Sequence, residues 1–273
     1  MTLEELNKLI DTIYLLSPAA YEQIVAEIAR ANGSRLPILL HRLDPGQRLF
    51  RSRINVSGSF DHISDMGPPP DEVVHSFSRA NRPHQSVFYL SENRPTSYME
   101  LFWHWATLDN VNSIIDITIT EWAVQQSFEL AVIAQPDRPQ RQTVMEHVVG
   151  DEFDDKVGRL TAPDQAAARA LMTTLYRQFS LDVPHGSNEL YLPTCAWSNM
   201  AYLHSTSSGI MYPSVRSGKE GMNFAIAKPD AISSLRLESA ARDTFRHVAF
   251  RRPAQIAPSQ AASIDQIACR IRW

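Results

Sequence analysis

The apolar segments of this chain are short, and their spacing changes irregularly between the period of a strand and that of a helix. Helical spacing predicts one helix that begins at residue 95 and two more over residues 166–179 and 193–204. Strands and helices do not alternate as regular βαβ units, so the pattern favours an α+β domain with a mixed sheet over a doubly wound parallel sheet. Strands are predicted at residues 49–54, 86–90, 114–120, 126–134, 209–213, 223–227, 234–237 and 247–251.

The composition is typical of a globular protein and argues against several classes of partner. Hydrophobic residues make up 44% of the 273 positions and charged residues 21%, which is enough for a sizeable core. The net charge of −4 is spread along the chain without a basic block, so no nucleic acid is expected as a partner. No apolar run reaches the roughly 18 residues of a membrane span. The acidic N-terminus does not resemble a secretory signal, so a cytoplasmic protein is expected, with delivery into another cell left open.

The first 46 residues are predicted to form a small helical extension. Thr2 and Glu5 have the spacing of a capping box, and Ser17-Pro18 combines a cap with a first-turn proline. Gly33 would end the second helix. A support packed on the main domain is the simpler interpretation, and a partner-binding helical pair is the alternative. The main domain is then expected over residues 47–273.

Polar side chains at the ends of predicted elements form two groups that could carry chemistry. In the first group, Arg79, Tyr89 and Glu100 border one short strand and the helix after it. His104 follows Glu100 by one helical turn, so the two share a helix face. The second group lies in residues 205–227 and contains Ser214 and Asn223. Taken singly, each of these residues could also be an ordinary surface, turn or core-edge residue.

Several common catalytic signatures are absent from the sequence. It contains no phosphate loop ending in Gly-Lys-Ser/Thr, no dinucleotide Gly-x-Gly-x-x-Gly, no Gly-x-Ser-x-Gly elbow and no His-x-x-x-His pair. The turn Ser217-Gly-Lys-Glu-Gly221 has glycines and a lysine without the frame of a phosphate loop, so it is predicted to be an exposed turn between strands. Cys195 and Cys269 are too few for a disulfide framework or a four-ligand zinc site, and no metal is expected.

Four motifs occur in order along the chain. They are Phe50-Arg51, then Ser78-Arg79-Ala80-Asn81 before a strand ending in Tyr89-Leu90, then Met99-Glu100 with His104, and finally Gly209-Ile210, Tyr212-Pro213-Ser214 and Gly221-Met222-Asn223. Taken in this order, they are similar to the motifs of the RES-domain family, which is named for an Arg, a Glu and a Ser. The resemblance covers about residues 47–251, with a divergent stretch around 106–160 that would be an insertion. His84 stands where a turn glycine is common in the family.

The resemblance implies an ADP-ribosyltransferase-like fold that cleaves NAD at the nicotinamide–ribose bond, with NAD as substrate and no resident cofactor. The transition state of this cleavage carries positive charge on the ribose, and Glu100 would stabilise it as a carboxylate. Arg79 would hold the pyrophosphate, with Arg51 as a weaker candidate, because a guanidinium binds phosphate oxygens in bidentate fashion. Ser214 would orient either the carboxylate or the nucleophile.

The resemblance also gives roles to the remaining candidates. Tyr89 would stack on the nicotinamide ring or hydrogen-bond beside it, and Asn223 and His104 would contact substrate. The attacking nucleophile would be water or inorganic phosphate, which leaves hydrolysis and phosphorolysis open.

Family members of this kind are NAD-degrading toxins of bacterial toxin–antitoxin pairs. A neutralising antitoxin or immunity protein is therefore expected as a partner, and a homo-oligomer is left open. Two alternative functions would use the same pocket. One is transfer of ADP-ribose to a macromolecule, and the other is nucleotide binding without catalysis.

Overall fold

The computed structural model describes residues 4–5, 8–9, 11–12, 21–32, 39–56, 58–184, 186–204, 206–249 and 252–273, without the side chains of residues 31, 32, 104 and 108. Within these ranges one mixed sheet is flanked by helices, which confirms the predicted α+β class. The helices are α1 (Tyr21–Asn32), α2 (Arg94–Trp105), α3 (Val144–Gly158), α4 (Ala162–Phe179), α5 (Leu192–Leu203) and α6 (Pro229–Ser233). The strands are β1 (Leu40–Leu43), β2 (Arg48–Ile54), β3 (Phe88–Ser91), β4 (Ile114–Val124), β5 (Phe128–Val132), β6 (Ser207–Pro213), β7 (Met222–Ile226), β8 (Leu235–Ala249), β9 (Arg252–Gln255), β10 (Gln260–Asp265) and β11 (Arg270–Arg272).

The sheet has the strand order β1-β5-β6-β7-β3-β2-β4-β8-β10-β11, with β9 paired to β8 beside that path. Strands β5 and β6 run parallel, and the other pairs between described strands are antiparallel. Strands β6 and β7 are buried along their whole length. They therefore form the covered centre of one half of the sheet.

Helices cover this half of the sheet on both faces. Because successive side chains of a strand point to opposite faces, neighbouring residues of β7 pack into different cores. In β7, Phe224 and Ile226 belong to a core that includes Phe153 of α3. Ala225, between them, belongs to a second core formed with α1, α4 and α5, where Ile28 is fully buried. Burial of both faces explains why 223–227 is a nearly continuous apolar run in the sequence.

The N-terminal segment is helical only in part. Helix α1 confirms the second predicted helix, and residues 4–5, 8–9 and 11–12 of the first one are helical. The expected caps Thr2, Ser17 and Gly33 lie outside the described residues. Strand β1 pairs with β5, so the segment expected to be a helical extension also supplies a strand of the sheet.

The stretch 106–160, expected as an insertion, contains β4 and β5, and β4 lies between β2 and β8 inside the sheet. Helix α3 was not predicted, since its acidic residues hide an apolar stripe. Val149, Phe153 and Val157 recur every four residues and are buried in the core. Residues 135–160 were expected to project from the core, and the burial of this stripe shows that α3 packs on the sheet.

The end of the chain also differs from the prediction. The late strands predicted at 234–237 and 247–251 overlap the two ends of one 15-residue strand, β8, and residues 250–251 lie outside the described residues. Polar and charged residues such as Arg236, Glu238 and Arg242 interrupt its apolar pattern without interrupting the backbone pairing with β4. Strands β9, β10 and β11 were not predicted, because their residues are mostly exposed and give no alternating signal.

Candidate active site

A cleft of about 560 Å³ opens where strands β2 and β3 separate. In the described sheet these two strands pair at one position, Phe50↔Ser91, whereas β2 pairs with β4 along its whole length. The rest of β2 and β3 therefore diverge, and both line the cleft together with α2, the loop at 78–79 and the turn after Ser214. The charged residues of the lining are Arg51, Arg53, Arg79, Glu100 and Arg216.

Glu100 lies in the second turn of α2. The helix begins where the Asn93 side chain accepts a hydrogen bond from the backbone N–H of Thr96, at 2.9 Å. Oε1 of Glu100 accepts two hydrogen bonds, from Ser214 Oγ at 2.7 Å and from Asn223 Nδ2 at 2.6 Å. Charge-assisted bonds of this kind fix a carboxylate strongly. Among the described residues, no hydrogen bond to Oε2 is present.

Ser214 is held by the tight turn that joins β6 to β7. Its backbone N–H donates to Gly221 O at 2.8 Å, and its carbonyl accepts from Lys219 N at 2.9 Å. A Cβ at Gly221 would overlap the Thr96 hydroxyl, so glycine allows this turn to pack against α2. Ser214 is fully buried beneath Glu100 and is not part of the cleft wall. This geometry favours orientation of the carboxylate over direct contact with a ligand.

Asn223 approaches Glu100 from β7. Its Oδ1 accepts a hydrogen bond from Ser91 Oγ at 2.9 Å, which orients the amide so that Nδ2 points to the carboxylate. Both side chains are buried, and the same two residues are cross-strand partners in the β3–β7 pair. The sheet register therefore sets the position of this donor.

Arg79 lies in the loop before β3 and is buried. Its guanidinium donates to Leu181 O at 2.9 Å and to Gln178 O at 3.4 Å, and it lies 5.2 Å from the ring centroid of Tyr191. These contacts hold the Arg79 guanidinium at the cleft wall. They use only some of its five N–H groups, so the others can donate to a ligand.

Tyr89 positions the loop that carries Arg79. Its hydroxyl accepts from the Ala80 N–H at 3.2 Å and donates to Asn81 Oδ1 at 2.8 Å, and Ser78 Oγ lies 2.8 Å away. Burial raises the pKa of Tyr89, so the phenol stays neutral. His84 closes the same loop with a φ of 56°, the left-handed conformation that favours glycine.

Arg51 and Arg53 reach the cleft from β2. Arg51 Nη1 donates to Tyr89 O at 2.9 Å and its guanidinium lies 5.4 Å from the Phe88 ring centroid. Burial lowers the pKa of Arg51 to about 10, which still leaves it charged at neutral pH. Arg53 donates to the Asp65 carbonyl and lies 4.9 Å from the ring centroid of Phe60.

Arg216 is a cleft residue that sequence reasoning missed. It is buried, pairs with Asp182, donates to Val183 O at 3.2 Å and lies 4.5 Å from the ring centroid of Trp103. The sequence feature that could have indicated its role is its position two residues after Ser214. Arg216 and Arg79 together bind the segment after α4 to the cleft.

The structure brings most of the predicted site residues to one cleft. Arg51, Arg79, Tyr89, Glu100 and Asn223 line it, and Ser214 lies directly beneath. The His104 side chain lies outside the described part of the chain, so its predicted role stays a prediction. Charged and aromatic cleft residues that sequence reasoning did not single out include Arg53, Tyr191 and Arg216.

No curated protein sequence shows significant similarity to the chain. The family model described as RES domain matches residues 47–246, a span that contains every residue of the cleft described above. Because this match covers well over half of the 273 residues, the chain belongs to the RES domain family.

Proposed function

We propose that the chain cleaves NAD at the nicotinamide–ribose bond, with water or inorganic phosphate as the nucleophile. Membership of the RES domain family supports an NAD-related, toxin-like function at the level of the family. The reaction itself is proposed from the chemistry of the cleft.

The observation that carries the proposal is the environment of Glu100. It is the only carboxylate among the cleft-lining residues of the described chain, and two donors hold its Oε1. Cleavage of the nicotinamide–ribose bond releases a neutral leaving group from a cationic ring, so the ribose develops positive charge. A carboxylate held beforehand stabilises that charge without having to reorganise during the reaction. Oε2 is then available to a ribose hydroxyl.

Four arginines give the rest of the cleft a positive charge that suits a pyrophosphate. Arg51, Arg53, Arg79 and Arg216 all line it. Each keeps its position through a backbone carbonyl, and each also lies over an aromatic ring. Rigid guanidinium groups of this kind recognise phosphate oxygens. The cleft volume of about 560 Å³ lies within the usual range for a small-molecule site, roughly 300–1,000 Å³.

Ser214 and Asn223 act on the reaction through Glu100 in this proposal. Their hydrogen bonds hold Oε1 and so fix the direction of the carboxylate. Tyr89 acts similarly on Arg79, because its hydroxyl is engaged by the loop at 78–81. The face of its ring remains part of the cleft wall and can contact the nicotinamide.

The test is release of nicotinamide from NAD by the purified protein, measured with and without inorganic phosphate. We expect Glu100→Gln to lower the rate by about 100- to 1000-fold, the usual loss for an electrostatic stabiliser of a transition state. Glu220→Gln is the matched control, because this exposed glutamate lies outside the cleft lining. A Glu100→Gln variant that consumes NAD at the wild-type rate would refute the assignment.

Labelled NAD separates the remaining reactions. Label in free ADP-ribose indicates hydrolysis, label in its phosphate adduct indicates phosphorolysis, and label on a protein or nucleic acid band indicates transfer. Tight NAD binding without turnover would instead support a non-catalytic module. If the chain is a toxin, its expression in a cell should deplete NAD, and co-expression of a neutralising partner should restore it.

A further inference from the structure

A second cavity has a volume of about 720 Å³. Its lining includes Leu181 and Lys219, whose backbone groups hydrogen-bond to Arg79 and to Ser214. Its wall is formed by the segment after β5, the outer face of α4 and the turn between β6 and β7. Its charged lining residues are Asp137, Arg169, Arg177 and Lys219. Three cations against one carboxylate give this cavity a positive charge.

The three cations differ in the number of contacts that they already make with other residues of the protein. Arg169 pairs with Asp154 at 2.8 Å. Arg177 is exposed and makes no hydrogen bond or ion pair within the described part of the chain. Lys219 Nζ lies 5.1 Å from the ring centroid of Tyr176. Arg177 and Lys219 therefore have donors that a ligand can use.

The backbone of Lys219 indicates that its side chain has a role. Its φ of 71° is the left-handed conformation, which glycine adopts more easily than lysine. Lys219 belongs to the glycine-containing turn 217–221, whose backbone holds Ser214, but its side chain is not part of the cleft lining. A lysine that keeps this unfavourable backbone conformation while lining a cavity favours an anionic ligand there.

The end of α4 does not oppose an anion in this cavity. Carbonyl groups at a helix C-terminus carry partial negative charge, which would repel a phosphate. Here the Arg79 guanidinium donates to Gln178 O, in the last turn of α4, and to Leu181 O, in the segment just after the helix. This contact offsets the negative end of the helix beside the cavity.

We propose that this second cavity binds a small molecule through a phosphate group held by Arg177 and Lys219. Asp137 and Gln140 lie in the same wall, where Gln140 Nε2 donates to Asp137 Oδ2 at 2.8 Å. These two side chains can hydrogen-bond to hydroxyl groups of a sugar phosphate, whereas free phosphate uses the cations alone. The backbone N–H of Lys219 donates to Ser214 O, and Leu181 O accepts from Arg79, so two bonds connect this wall to the cleft.

The test is isothermal titration calorimetry with inorganic phosphate and with ribose 5-phosphate, at constant ionic strength. The Arg177→Gln/Lys219→Gly variant should lower the affinity for both probes at least tenfold. Glycine suits the left-handed turn, so this variant should fold normally. Arg159→Gln is the matched control, because Arg159 is an exposed arginine at the end of α3. Asp137→Asn should weaken ribose 5-phosphate alone if a sugar phosphate is the occupant.

Three results would overturn the proposal. One is the absence of binding for both probes. Another is an equal loss in Arg159→Gln, which would indicate only diffuse attraction of anions. The third is loss of binding in Arg216→Gln but not in the double variant, which would assign the anion to the cleft. Because the readout is binding, the result does not depend on whether the chain cleaves NAD.

Discussion

The hydrogen bond from Ser214 to Glu100 allows a quantitative test of how the cleft works. Ser214→Ala removes one of the two donors to Oε1 and leaves the Asn223 donor at 2.6 Å. A hydrogen bond to a charged group contributes about 1.5–3 kcal/mol. Since about 1.4 kcal/mol corresponds to a factor of ten in rate, kcat/KM for NAD should fall by about 10- to 150-fold.

The fold should tolerate this change. Alanine nearly matches the volume of serine at this fully buried position. Apart from Glu100, the lost partner is the Ser217 N–H, which donates to Ser214 Oγ at 3.2 Å, and this should lower the free energy of unfolding by about 1 kcal/mol. Thermal unfolding checks the fold. Ser217→Ala is the control, because it removes a hydroxyl from the same turn without touching Glu100.

The double variant decides between the two roles that the sequence left open for Ser214. If Ser214 only orients Glu100, then Ser214→Ala/Glu100→Gln should have the same kcat/KM as Glu100→Gln, because the residues act as one unit. If Ser214 acts on the nucleophile or the substrate directly, the two losses should multiply. A multiplicative loss, or a wild-type rate for Ser214→Ala, would refute the reasoning from the buried hydrogen bond.

Three further predictions follow from other contacts. Asn223→Asp replaces the amide that donates to Glu100 Oε1 with a carboxylate, so the hydrogen bond at 2.6 Å is lost and two carboxylates face each other. Its kcat/KM for NAD should therefore fall by about tenfold or more, and a wild-type rate would contradict this. Gly209→Ala should lower the free energy of unfolding by about 1–3 kcal/mol in urea titrations, because a Cβ would overlap a backbone carbonyl of β7. Gly158→Ala, where nothing lies within 4 Å, should not be destabilising, and an equal loss in both would count against the packing argument. Burial raises the pKa of Cys195 to about 12, so a thiol reagent near pH 8 should label only the other, exposed cysteine until denaturant is added. Two labelled thiols in the native protein would contradict it.

The local parts of the fold were accessible from sequence because they depend on neighbouring residues. Strand β2 and helix α4 are apolar patterns of a clear period, and Asn93 and Thr96 form the cap that starts α2 near the predicted residue. The left-handed φ of 56° at His84 agrees with the expectation from the sequence that a turn glycine would suit this position.

Other elements could not be predicted because their signals are weak or shared among distant residues. The apolar stripe of α3 is hidden among acidic residues. Strands β9, β10 and β11 have mostly exposed residues, so their formation depends on backbone pairing with neighbouring strands. Arg53 and Arg216 are ordinary surface arginines in the sequence. Only the separation of β2 from β3 makes them residues of a cleft.

The sequence by itself determined the α+β class, most element positions and the order of the motifs that assign the chain to the RES domain family. It also determined which residue types were available for chemistry. The tertiary structure decided that Glu100 meets Ser214, 114 residues later, and that the serine is buried behind it. The physical reason is that the hydrogen bond of 2.7 Å forms only when α2 and the end of β6 lie in the correct relative position. That position depends on how all the strands between them pair in the sheet.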